Sequence, residues 1–166
     1  YTFIGVALMS DTQKIASLIK DIRFAMLTHI TAEGHLHATP MTTQDREFDG
    51  SIWFIGDNTT ELCKDLAARP QVNLAYSRPD SSTYVSITGT ARLVNDPEQL
   101  DALWSEFYNA YFEQGKNDPK VQLIEITAHG AQYWEASGKV MQFAKMITAA
   151  VIGAKTQGNE RHTVSL

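Results

Sequence analysis

Two stretches of this chain concentrate the residues whose types and spacing could do chemistry. In Ala38-Thr39-Pro40-Met41-Thr42 a proline falls inside a strand-like segment. Proline removes one ladder donor, which is tolerated at a sheet edge, at a bulge, or where a ligand replaces the neighbouring strand. In Trp53-Phe54-Ile55-Gly56-Asp57-Asn58-Thr59-Thr60 an aromatic strand feeds a polar turn and then a helix start. Free backbone amides at a helix N-terminus favour an anion such as phosphate. Each stretch also has a plain structural reading, as an edge strand and as a core strand leading to a capped helix. His35 and His37 would share one face of a strand, where two imidazoles can bind a metal, but no Asp, Glu or Cys is placed to complete a site. A solvated strand face is the commoner role, so no metal site is expected. No GxSxG elbow, P-loop, GxGxxG or HExxH motif occurs, and no catalytic side chain is assigned. The single cysteine, Cys63, falls inside a helical pattern, where a buried thiol is the usual outcome.

The elements that must position these stretches follow from periodicity. Ser10 and Gln13 form a capping box ahead of Ile15, Leu18, Ile19 and Ile22, a short amphipathic helix. Alternation from Phe24 to Thr31, the Glu33-Gly34 turn and His35–Gln44 make a hairpin; Asp49-Gly50 then turns into a third strand over Ser51–Gly56. Thr60 caps a helix that stops before Pro70. Val72, Leu74 and Tyr76 alternate, and Tyr84–Val94 is a long strand with Gly89 as a bulge or close-approach point. Asp96-Pro97 opens a helix expected to carry Leu100, Leu103, Trp104, Phe107, Tyr108 and Tyr111 on one face. Val121–Thr127 and Gln132–Ala136 read as a final strand pair. Val140, Phe143, Ala144, Ile147 and Val151 mark a terminal helix, and a polar tail, expected to be mobile, follows. Residues 1–8 read as a lead-in, 9–153 as one domain and 154–166 as the tail.

Composition narrows the function classes. At 166 residues with 43% hydrophobic content, one domain with a sizeable core is expected. A net charge of -5 with 14 scattered Lys and Arg argues against a nucleic-acid partner, because phosphate backbones select a basic face. No apolar run approaches the roughly 20 residues of a membrane span, and the first residues lack signal-peptide features. A cytoplasmic location without a membrane partner is the expectation.

A βββ–α–ββ order with tight turns suggests a small antiparallel barrel with a helix against it, an architecture that often holds a flat ligand. The succession GHLHATPM, SIWFIG, TTEL, RPQVNLAYS, STYVSITGTARLV, the Trp104 helix, NDPKVQLIEIT and AQYWEA closely resembles the pyridoxamine 5′-phosphate oxidase-like flavin-binding split-barrel proteins. Within that superfamily it is most similar to the bacterial general stress protein 26 group. The resemblance spans Ile15 to Val151 and rests on motif order more than on one signature. It implies a mainly β fold, a six-stranded antiparallel split barrel with flanking helices, paired as a homodimer with FMN at the subunit interface; FAD is the alternative flavin.

Carried over position by position, the resemblance implies that Thr39, Pro40, Met41 and Thr42 present backbone to the isoalloxazine ring. It likewise implies that Phe54, Ile55, Gly56, Thr59 and Thr60 hold the ring edge and phosphate, and that Trp134 approaches from the opposite subunit. One departure stands out. Many relatives place a lysine on the phosphate where this chain has Leu62, and Lys64 lies about 200° further round the helix. The lost charge-assisted bond is worth about one to two decades of affinity. A basic residue paired with the proline strand in some oxidases is also absent, since His37 and Thr39 stand there, which argues against pyridoxamine phosphate oxidation itself. The expected function is a flavin-binding stress protein, a weak oxidoreductase or a flavin carrier. The alternatives are a dedicated flavin reductase or oxidase on a small molecule, and a flavin-free dimeric module for another aromatic ligand.

Overall fold

A computed structural model describes residues 10–135 and 160–166. The chain opens with helix α1 (Asp11–Ile19), whose Ser10 cap and Gln13 side chain form the expected reciprocal box. Strands β1 (Phe24–Ile30) and β2 (Leu36–Thr42) make the first hairpin, followed by β3 (Ser51–Asp57). Helix α2 (Glu61–Ala68), strands β4 (Gln71–Arg78) and β5 (Thr83–Val94), and helix α3 (Pro97–Leu103) come next. Strands β6 (Val121–Glu135) and β7 (Glu160–Ser165) complete the described chain.

The strands pair in the order β2-β1-β4-β5-β6-β3, every ladder antiparallel, with β7 added to β6. The sheet curls until its two ends, β2 and β3, come within 8 Å at the Cα level. This is the split barrel that the family resemblance implied, mainly β with flanking helices. Period-2 alternation sends Leu27, Phe54, Leu74, Tyr76, Ile87 and Ile124 inward, each no more than 1% exposed. Ile15 from α1 and Cys63 and Leu66 from α2 join the same core. A second cluster lies on the other face of β3, where Ile55 and Leu123 meet Leu103, Tyr108 and Phe112.

Three expectations need correction. The α3 helix stops at Leu103, because Trp104 turns to extended backbone (ψ 134°), and Glu106–Ala110 continues as a 3-10 turn. The break lets Trp104 pack on Tyr108 and Phe112, at 5.4 and 5.9 Å between ring centroids, against the second cluster. The two strands expected over Val121–Thr127 and Gln132–Ala136 are one strand, and Ala136 lies outside the described residues. His129-Gly130, which looks like a turn, is instead part of a bulge: Thr88 faces Gly130 while Gly89 faces Ala128, leaving His129 without a register partner on β5, and its carbonyl accepts from the Leu166 amide. Gly89 is required there, since a Cβ would stand 2.6 Å from the Thr127 carbonyl. Finally, residues 160–165 of the expected mobile tail form β7, with Val164 and Leu166 packed against the core. The expected terminal helix over Val140–Val151 and the lead-in over 1–8 fall outside the described residues.

Candidate functional site

The curl of the sheet brings β2 and β3 together as two edges, each bonded among the described residues to one neighbour, β1 and β6 respectively. Thr39, Pro40, Met41 and Thr42 all lie on the β2 edge, where a proline leaves no ladder donor missing between paired strands. Their side chains divide between the faces, with Met41 buried and Pro40 exposed, and their backbone groups alternate as well: Thr39 and Met41 bond to β1, while Pro40 and Thr42 turn to the open edge. On β3, Phe54 is fully buried and Ile55 is held in the second cluster. Of the two, only Ile55 turns its backbone groups to the open edge, since the Gly50–Ala128 and Asn58–Lys120 bonds make Phe54 and Gly56 the residues bonded to β6. Gly56 has a packing role, because a Cβ there would stand 3.2 Å from Ile124 and 3.8 Å from the Cys63 sulfur.

The α2 N-terminus is capped by Thr60, whose hydroxyl accepts from the Cys63 amide at 3.4 Å and donates to the Asp57 carbonyl at 2.8 Å. Thr59 is committed as well: its amide and hydroxyl both donate to Asp57 Oδ1, at 2.8 and 2.6 Å. The hydroxyl bond, then the amide bond, hold the Asp57 carboxyl below the usual range. A resident carboxylate therefore sits where a phosphate was expected, a feature the Asp-x-Thr spacing signals as an Asx turn. The amides of Glu61 and Leu62 remain, since the first helical N–H groups have no intrahelical acceptor. Leu62 itself is half-buried against the core, and Lys64 is paired with Glu61 at 2.8 Å.

A buried tie fixes α2 to β1. His29 Nε2 lies 3.1 Å from Asp65, which also receives Arg69 at 2.6 Å, while Arg69 Nε donates to the Ile30 carbonyl at 2.9 Å. Sequence reasoning missed this triad, although His29 falls on the inward phase of the Ala25, Leu27 alternation and Asp65 stands four residues before Arg69. His37 is exposed on β2 and meets the His29 ring edge-on at 5.5 Å. Cys63 is buried, and burial raises its thiol pKa.

Trp134 lies elsewhere. It pairs with Tyr84 near the far end of β6, whereas Asp57 pairs with Val121 at the near end. Thirteen residues of strand separate the two positions, about 40 Å of extended chain. Within one chain Trp134 and the α2 N-terminus cannot meet. Trp134 instead shares the outer face of the sheet with Tyr84, and cross-strand register continues that face to Phe24, Met26 and Pro40 on β1 and β2. Phe24 is 54% exposed, Met26 41% and Tyr84 41%, apolar groups open to solvent on either side of Ala75 and Ser77 of β4.

The fold is an antiparallel split barrel, and the comparisons with known proteins give it a family. The family model for pyridoxamine 5′-phosphate oxidase-like proteins matches residues 10–157, and the chain belongs to that family. Among solved structures, a Jannaschia sp. CCS1 protein described as general stress protein 26 is 28% identical, with TM-score 0.73 over 93% of this chain and 98% of that one. A general stress FMN/FAD binding protein from Xanthomonas citri is 31% identical, with TM-score 0.67 over 76% of this chain and 89% of that one. A general stress family protein from Xanthomonas campestris pv. campestris is 32% identical, with TM-score 0.66 over 79% and 93%. No curated protein sequence matches the chain. Among the described residues, no helix is long and apolar enough to cross a membrane.

Proposed function

We propose that this protein binds a flavin along the β2–β3 seam, with FMN as the form expected and FAD also admissible. The observation that carries the reading is the pair of strand edges, unpaired among the described residues, that face each other and offer backbone groups to a flat ring itself edged with donors and acceptors. The Xanthomonas citri relative, described as FMN/FAD binding, supports the choice of ligand. The ring end of the site fits: Thr39 to Thr42 and Phe54 to Gly56 are rigid, since one side of each strand is held in a ladder. The phosphate end fits less well, because the Glu61 and Leu62 amides must act against the Asp57 carboxylate. A bound flavin supplies electron and hydride transfer without needing a protein acid or base. The residues of this chain orient the ring and exclude water from it, which suits a weak oxidoreductase or a flavin carrier rather than a pyridoxamine phosphate oxidase.

A homodimer belongs to the same proposal. The apolar groups Phe24, Met26, Tyr84 and Trp134 are suited to a second copy, which would bring its own Trp134 towards the seam that the first copy's Trp134 cannot reach. The test is spectral and hydrodynamic. Purified protein is expected to show the absorbance bands of oxidised flavin, or to acquire bound flavin on titration with FMN or riboflavin, and to run as a dimer in light scattering. Met26→Glu is expected to give a monomer with weakened flavin binding. Protein that takes up neither flavin refutes the ligand, and a monomer at micromolar concentration, unchanged by FMN, refutes the shared site.

A further inference from the structure

At the Thr42 end of the seam, the chain after β2 and the 3-10 turn after α3 enclose a groove of about 400 Å³. Trp104, Phe107 and Tyr108 give it aromatic walls, and Arg23, Gln44 and Asp45 give it polar groups. The Arg23 guanidinium lies 5.5 Å from the centre of the Phe107 ring and 5.9 Å from that of Phe24. Stacking of this kind orients a cation without neutralising it, and Arg23 has no salt bridge among the described residues. The second polar group is the Tyr108 hydroxyl, which accepts a hydrogen bond from Gln44 Nε2 and so keeps its own proton for another acceptor. Burial raises the Tyr108 pKa, while the Gln44 bond and the Arg23 charge draw it down, so the guanidinium lies within electrostatic reach of the phenol.

We propose that this groove binds a small planar carboxylate, its ring between the aromatic walls and its anionic end on Arg23 and the Tyr108 hydroxyl. Two donors of this kind match a carboxylate and would leave a neutral amide poorly recognised. Asp45 lines the same groove and on its own would favour a cation, but a cationic guest would meet the Arg23 charge already stacked on Phe107. As a substrate site beside the ring, the groove rests on the flavin reading; as a carboxylate site, it does not.

Calorimetric titration of the purified protein with benzoate, benzamide and benzylamine tests the assignment. Benzoate is expected to bind at least about tenfold more tightly than benzamide, the scale of one charge-assisted contact. Arg23→Gln is expected to remove that preference, Arg23→Lys to retain part of it, and Tyr108→Phe to reduce it, each with the melting temperature measured alongside. Equal affinity for benzoate and benzamide, tighter binding of benzylamine, no heat with benzoate, or a preference that survives Arg23→Gln overturns the proposal. Flavin titration of the same samples keeps the two readings apart: protein that takes no flavin but binds benzoate through Arg23 refutes the function and leaves the groove assigned.

Discussion

Asp57 and Leu62 together decide how this chain treats a phosphate at the start of α2. With Asp57 accepting from Thr59 at 2.8 and 2.6 Å, an incoming phosphate meets a like charge a few ångströms away. Asp57→Asn keeps the acceptor oxygen for Thr59 and removes the charge, so FMN affinity is expected to rise about fivefold at low salt, the scale of one screened Coulomb contact. Riboflavin, which lacks the phosphate, should respond little, and equal gains for both ligands would place the phosphate elsewhere. Leu62→Lys has the opposite expectation. Leu62 packs half-buried against the main core, so the variant should lose about 1 kcal/mol of stability without gaining FMN affinity. Thermal melts with parallel FMN titrations check both changes.

Among the elements, α2 is the one whose placement matters most, and two groups hold it. Thr60 caps its start, and Asp65 ties its interior to His29 of β1 and its end to Arg69. Asp65 is 5% exposed and His29 2%, so removing the carboxylate leaves a buried imidazole and a guanidinium without their partner. Asp65→Ala is expected to cost about 3 kcal/mol by chemical denaturation, with β1 and α2 losing amide-exchange protection first. A change below about 1 kcal/mol would mean that the tie is dispensable. The β5–β6 ladder has a comparable weak point at Gly89, where any side chain would strike the Thr127 carbonyl and Ile126.

Across the whole molecule, two buried phenols set the alkaline limit of stability. Burial raises the pKa of Tyr76 strongly, with Thr43 pulling weakly the other way, and burial also raises that of Tyr108. The Tyr76 hydroxyl has no aligned hydrogen-bond partner among the described residues. A folded pKa above the unfolded value of about 10 favours the protonated fold, so this stability is complete below pH about 10 and is lost as pH rises towards the folded values. The melting temperature should therefore fall above pH about 10. Tyr76→Phe should flatten that fall while leaving stability at neutral pH nearly unchanged, since it removes a polar group without breaking an aligned bond. A fall of the same slope in the variant would assign it to other groups.

Element order up to β5, the capping box at Ser10 and the caps at Thr60 and Asp96, the inward alternation of β1 and β4 and the glycine at the bulge were all legible in the residues, because each depends on neighbours a few positions away. The seam was legible as two separate motifs, Thr39 to Thr42 and Trp53 to Thr60, whose order carried the family resemblance. Other features depended on contacts between distant parts of the chain. The α3 helix broke at Trp104 because a second core on the far face of β3 drew the aromatic side chains out of helical register. His129-Gly130 continued β6 because β5 and β7 supply its hydrogen-bond partners, and residues 160–165 became a strand because β6 offered an edge. The sequence by itself determined the strands and helices from α1 to β5 and which family they make. Only the tertiary structure decided that β2 and β3 face each other as free edges among the described residues, and that Trp134 lies at the other end of β6 from Asp57. Those facts depend on how a curled sheet closes, and closure is a property of all the ladders together.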